Sequence, residues 1–171
     1  MNMQRWKNRI LALVFSRFPR LTEKWLSGRD LGEWGPPPWT PLRKPLQECR
    51  IALVTTAGVH LKGQEPFNME DPEGDPSYRI IPTEVSLDGL TITHDYYDHR
   101  DADKDLNIVF PLTRLKELAR EGIIEGTASC HYSFMGHIDG SKLCALLQGT
   151  APQVARRLQE EKVDAVLLTP A

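Results

Sequence analysis

Cysteine is scarce in this chain: 171 residues hold only Cys49, Cys130 and Cys144. An odd count with no C-x-x-C pair indicates neither a disulfide framework nor a zinc knuckle, and fits a reducing, cytoplasmic setting. Long apolar runs are missing too. The one near the N-terminus, Ile10 to Phe15, is too short to cross a bilayer and has no small-residue cleavage site behind it. Gly58, Gly136 and Gly140 do not make a dinucleotide fingerprint, and no Walker sequence occurs, so nucleotide binding has no support. Asp101, Asp103 and Asp105 are spaced like the opening of a calcium loop. Leu106 stands where that loop needs glycine, however, and Leu112 where it needs a bidentate Glu. No repeat and no long low-complexity tract is present. What remains is an ordinary composition, 40% hydrophobic and 26% charged, at single-domain length.

Charge divides the chain unevenly. Residues 1–50 carry ten Lys/Arg against four Asp/Glu, and the remainder carries eleven against nineteen. The acidic body gives no footprint for nucleic acid. In the basic part, Trp6, Ile10, Leu13, Val14 and Phe18 recur at near-helical spacing among Arg5, Lys7, Arg9 and Arg17, which predicts a basic amphipathic helix. Its apolar face is expected to dock on its own domain or a partner subunit in preference to a membrane surface. The pattern fades by Gly28, and Gly35 to Pro41 reads as a stiff polyproline strap in which Trp39 is expected to be buried. Residues 1–35 thus form a helix and linker, and 36–171 a separate α/β unit.

In that unit strands and helices alternate. Cys49 to Thr56 reads as a buried strand with a turn, Ala57 to His60, at its end. After a loop rich in Pro, Gly and acid come short strands around Tyr78–Ile81 and Leu90–Thr93. Pro111 to Glu121 is a helix ended by Gly122, Ile123 to Ser129 the next strand, and Ser141 to Glu161 a helix interrupted near Gly149–Pro152. Val163 to Leu168 closes the series as an apolar run, which predicts an interior strand. This order predicts a mainly parallel α/β sheet with flanking helices, Rossmann-like in kind. Ligands in such sheets bind beyond the C-terminal ends of the strands. His60, His131 and Thr169 follow or end inferred strands, and the polar loop from His94 to Asp105, with Tyr97 and Asp98, could wall the same crevice. No metal-ligand spacing appears among Cys130, His131, His137 and Cys144 or in the His94–Asp101 stretch.

Several segments are more particular than a generic α/β pattern. They are Pro37-Pro38-Trp39-Thr40-Pro41, Ile51 to His60, Asp75-Pro76-Ser77-Tyr78-Arg79-Ile80-Ile81-Pro82, His94-Asp95-Tyr96-Tyr97-Asp98, Asp105-Leu106-Asn107, His131 with Phe134-Met135-Gly136, and Val163 to Pro170. Together they resemble the selenoprotein B family of glycine, betaine, sarcosine and D-proline reductases, most of all on its D-proline reductase side. The likeness runs from about Pro36 to Ala171.

The resemblance implies an oxidoreductase that cleaves a C–N bond reductively. A pyruvoyl group on a partner subunit activates the substrate amine, and a dithiol or thioredoxin-type reductant completes the cycle. In the family, the stretch matching Leu168-Thr169-Pro170-Ala171 is followed directly by a redox residue, a selenocysteine or cysteine, opening a helix whose N-terminal potential stabilises the anion. This chain has no such residue, so no catalytic residue is expected within it. The expectation is the N-terminal half of a longer domain, cut at a selenocysteine codon, with His60, Tyr97, Asp98, His131 and Thr169 as pocket or substrate contacts. The residues also fit a different class, a noncatalytic α/β binding or assembly module complete at 171 residues.

Overall fold

The computed structural model describes residues 3–27 and 40–171. The polyproline strap up to Trp39 lies outside the described residues. Two helices open the chain, α1 (Met3–Arg17) and α2 (Pro19–Leu26). The body begins at β1 (Arg50–Thr55) and continues through β2 (Val59–Leu61), β3 (Arg79–Pro82), β4 (Leu90–Ile92), α3 (Leu112–Arg120), β5 (Gly126–Thr127), β6 (Cys130–Ser133), α4 (Gly140–Ala145), α5 (Ala151–Glu160) and β7 (Ala165–Thr169). Between α4 and α5 the helix widens into a π-turn over Leu146–Thr150, where Pro152 removes an amide donor. No helix among the described residues is long and apolar enough to cross a membrane.

β1 is the centre of the main sheet. β7 runs parallel along one edge, pairing Ile51 to Thr55 with Ala165 to Thr169. The other edge is shared by two short parallel strands, β5 at Arg50–Ile51 and β6 at Val54–Thr55, with β3 antiparallel beyond β6. Alternation along β1 feeds two cores. Ile51 and Leu53 pack with Phe110, Leu112 and Leu115 around α3, and Ala52 joins Tyr132, Phe134, Val154 and Leu158 under α5. The sheet is therefore mainly parallel with helices on both faces, as its pattern of apolar runs requires. β2 and β4 form a separate antiparallel pair.

Three sequence expectations are corrected. Ile123 to Ser129 is not one strand: Gly122, at φ +70°, closes α3, the chain turns to Glu125, and pairing is confined to β5 and then β6. Val163 to Leu168 is not interior; among the described residues β7 is an edge strand, with Leu168 68% exposed and Val166 and Leu167 also open. In α1 the apolar stripe faces outward, Trp6 being 56% exposed, while Asn8 and Ala12 are buried, so the stripe does not dock on its own domain; the partner-subunit half of the expectation is untouched by this. The reason is electrostatic. Arg5 and Arg9, on the same face as Asn8 and Ala12, both donate to Asp95, whose side chain is wholly buried.

α5 ends in a Schellman arrangement, in which the amide of Val163 donates to the Leu158 carbonyl and that of Lys162 to the Gln159 carbonyl. Lys162 sits in the left-handed region at φ 57°, where glycine is the usual occupant. Lys162→Gly is expected to raise stability by about 0.5–1 kcal/mol, read as a higher midpoint in urea with unchanged slope.

Candidate functional site

The C-terminal ends of the parallel strands are tied by hydroxyls. Thr55 Oγ donates within reach of the carbonyls of Val109 (2.9 Å) and Thr169 (3.1 Å), and the Thr169 hydroxyl donates to the same Val109 carbonyl at 2.8 Å. β-Branched threonines suit the extended backbone there and supply the donors that a strand end needs. Beyond the edge the chain turns at Gly58, φ +70°, where a Cβ would lie 2.5 Å from the Thr93 carbonyl oxygen. The Thr93 amide fixes this close approach by donating to the Gly58 carbonyl, while the Gly58 amide donates to the Phe134 carbonyl, and the segment after Thr93 is so delivered to the end of β1.

The residue so delivered is His94. Its Nε2 faces the Gly136 amide at 3.1 Å and its Nδ1 the Tyr96 amide at 3.1 Å, with the Tyr97 ring 4.8 Å from the imidazole. The chain end arrives at the same place, where the Ala171 amide donates to the Thr56 hydroxyl at 3.1 Å. A Cβ at position 136 would sit 2.8 Å from the Ala171 carbonyl oxygen, 3.3 Å from that of Thr56 and 3.4 Å from His94 Nε2, so a larger residue than Gly136 would press on all three. Thr56, His94, Gly136 and Ala171 thus converge. Burial, with His137 and His99 nearby, pushes His94 down to about 4 despite Asp95, so its ring is neutral at pH 7.

The residues expected from sequence are spread more widely. His131 lies wholly buried in the middle of the sheet: its Nδ1 accepts the Leu53 amide at 3.0 Å, so Nε2 carries the proton and donates to Thr83 Oγ1 at 2.9 Å. His60 lies in the β2–β4 pair, donating from Nδ1 to the Leu61 carbonyl and accepting the Thr93 hydroxyl at Nε2. Thr169 reaches the edge but spends its hydroxyl on Val109. Tyr97 donates to the Ala57 carbonyl at 3.1 Å, and burial, then Asp103, raises its phenol pKa. Asp98 forms an ion pair with Arg100, which lowers its pKa, and lines a shallow groove between α1 and the loop with Tyr97, His99 and Arg9. Thr56 and Gly136 carried no chemical signal of their own in the sequence. His94 did, as a loop histidine within a distinctive motif, but not its approach to the chain end. Among the described residues no group of three or more His, Cys, Asp or Glu is arranged to hold a metal.

The family model for the glycine/sarcosine/betaine reductase selenoprotein B matches residues 37–171. The D-proline reductase subunit gamma of Acetoanaerobium sticklandii is 43% identical over 134 residues, which cover 78% of this chain and 53% of that relative. The glycine reductase complex component B subunit gamma of Symbiobacterium thermophilum is 33% identical, and the sarcosine reductase complex component B subunit beta of Peptoclostridium acidaminophilum 30%; in each the match covers 30% of the relative. The chain therefore spans about half the length of the first relative and less of the other two. No solved structure matches it.

Two buried histidines make stability depend on acid. His94 and His131 are both lowered to about 4, chiefly by burial, from an ordinary 6.5. The unfolded chain therefore binds more protons between those values. Their contribution is full above pH 6.5 and is lost as pH falls towards 4, with a slope of up to about 1.4 kcal/mol per pH unit for each histidine. Denaturant midpoints measured from pH 7 to 4 should fall accordingly. His131→Asn should flatten the profile while lowering stability at pH 7.

Proposed function

The chain belongs to the selenoprotein B family of glycine, sarcosine and betaine reductases, and we propose that it is the N-terminal part of a D-proline/glycine reductase-type subunit. Its redox residue, a selenocysteine or cysteine, would directly follow Ala171. The observation that carries this is the arrival of Ala171 at the C-terminal edge of the parallel sheet, against Thr56, Gly136 and His94. That is where α/β folds place their chemistry. The three cysteines offer no substitute: Cys49 is buried before the start of β1, Cys130 opens β6, and Cys144 is exposed on α4.

In this proposal the chain's own residues build the seat of the reaction. Thr56 fixes the backbone that leads into the redox residue. Gly136 keeps the space open, and His94 with Tyr97 closes the rear against water. Tyr97 and Asp98 stand as candidate substrate contacts, whereas His60, His131 and Thr169 serve as the frame behind them. The pyruvoyl group that polarises the substrate amine belongs to a partner subunit, and no residue of this chain is asked to hold it. The redox anion attacks the carbon bearing nitrogen, the C–N bond breaks and the amine leaves with a proton. A second thiol then attacks the redox atom, forming a disulfide-type bond to it as the bond to carbon breaks and the carbon product takes up a proton, and a dithiol or thioredoxin-type donor supplies the two electrons that reset the pair. The proposed setting is cytoplasmic.

The test begins with the coding DNA after codon 171, where the proposal expects TGA followed by an open frame. The 171-residue chain and the read-through product with Cys at that codon are then compared. Extra chain packed on β7 would remove Val166, Leu167 and Leu168 from water, worth about 25 cal/mol per Å², so a few hundred Å² gives several kcal/mol. The longer product is expected to unfold cooperatively at higher denaturant and, with its partner subunit, to reduce D-proline or a related amine with dithiol. A closed frame, or a longer product neither more stable nor more active, would establish the noncatalytic module instead.

A further inference from the structure

The orientation of α1 leaves its apolar stripe open. Arg5 and Arg9 hold one face of the helix to the buried Asp95, and Asn8 and Ala12 are buried on that same face. Met3, Trp6, Ile10, Leu13 and Val14 lie on the opposite face and are exposed, so the stripe runs the length of a 15-residue helix, roughly 22 Å at about 1.5 Å per residue. Cations border it. Lys7 and Arg17 stand three residues from Ile10 and Val14, and Arg20 and Lys24 follow on α2 beside exposed Leu21. None of these four side chains forms an ion pair among the described residues. Residues 3–27 carry six Lys/Arg against Glu23 alone, whereas the chain from residue 51 onward carries an excess of acid.

We infer that α1 is an interfacial anchor that lays Trp6, Ile10 and Leu13 on an anionic lipid bilayer, with Lys7, Arg17, Arg20 and Lys24 at the headgroups. Sequence spacing alone ranked a membrane surface behind the chain's own domain and a partner subunit, but the clasp on Asp95 removes the domain from that choice. A second copy is disfavoured by charge: two stripes packed face to face would bring Lys7 and Arg17 of both copies together without an acid between them. A contact shared by the reductase subunits would fall on the body, because α1 and α2 precede the stretch that the family model matches. An anionic bilayer meets both features of the segment at once. Apolar side chains enter the acyl boundary, Trp6 takes the interfacial depth that tryptophan favours, and the cations meet lipid phosphates. No helix among the described residues is long and apolar enough to cross the bilayer, and a helix lying in the interface plane does not need to. The same surface repels the acidic body, so docking is oriented, with the stripe on the lipid and Asp95 on the side away from it. Such docking is independent of any redox residue.

The experiment uses the full chain as its gene encodes it, with Cys at any selenocysteine codon. Flotation is measured with vesicles of equal parts phosphatidylglycerol and phosphatidylcholine, and with vesicles of phosphatidylcholine alone. At about 0.05 M salt the four cations are expected to make binding to the anionic vesicles at least about a hundredfold tighter, with most of that preference lost at about 0.5 M. Lys7→Gln/Arg17→Gln/Arg20→Gln/Lys24→Gln should abolish the preference, and Ile10→Gln/Leu13→Gln should weaken binding at least about tenfold. All of these positions are exposed, and unchanged urea midpoints show that the variants fold. Should one not fold, the lipid and salt comparison on the unsubstituted chain decides. Equal affinity for the two kinds of vesicle, or no flotation, overturns the inference. A dimer, or a complex with the co-expressed partner subunit, that Ile10→Gln/Leu13→Gln dissociates also overturns it, since protein would then occupy the stripe. Flotation that survives both variants does the same, because it would come from the open β7 edge at Val166, Leu167 and Leu168.

Discussion

β1 is buried on both faces and bonded along both edges, and the geometry of the site follows from that constraint. A strand so placed cannot slip by one residue without exchanging its two apolar sets, Ile51 and Leu53 for Ala52 and Val54, between cores of different size. Its register fixes Thr55 beside Ser133 and Thr169. Those residues mark the edge beyond which Thr56, Gly136 and Ala171 meet. The positions of His94 and the chain end are thus consequences of packing some distance away, which is why rigid-sheet edges serve well for holding reactive groups.

The parts of this arrangement that depend on local pattern were legible in the sequence. β1, α3, the interrupted helix of α4 and α5, and the N-terminal helix each announce themselves by apolar period and by punctuation at Pro111, Gly122 and Pro152. Parts that depend on non-local partners were not. Apolar composition along Val166, Leu167 and Leu168 signals burial on two faces without saying which segments supply the cover. Likewise, His131 looked like a residue just past a strand end because Ile123 to Ser129 reads as the strand before it; the strand in fact runs over Cys130–Ser133, which moves the histidine to mid-sheet beside Leu53. Gly136 carries no titratable group, and its importance lies wholly in which atoms would strike a Cβ there.

Three histidines illustrate how one residue type takes opposite duties. For His60 and His131 the partners dictate the tautomer: a carbonyl at one nitrogen of His60, an amide at one nitrogen of His131, and a hydroxyl that can donate or accept at the other. Each ring has a partner at both nitrogens when neutral. His94 has an amide at both nitrogens and no hydroxyl to adapt, so in either neutral tautomer one of the two amides faces an N–H.

The N-terminal helix shows which term wins when patterning and charge disagree. Its apolar stripe would ordinarily turn inward, and exposing Trp6, Ile10, Leu13 and Phe18 forgoes that burial. Turning the stripe inward would withdraw Arg5 and Arg9 from Asp95, leaving an unpaired carboxylate inside the protein, which costs several kcal/mol. Burial alone would raise the Asp95 pKa, yet the two guanidinium groups hold it below the usual carboxylate range. Asp95 adjoins His94, and α1 lies outside the stretch that the family model matches. A segment beyond the matched domain therefore settles the charge next to the site, and its orientation follows from one buried acid more than from its hydrophobic period.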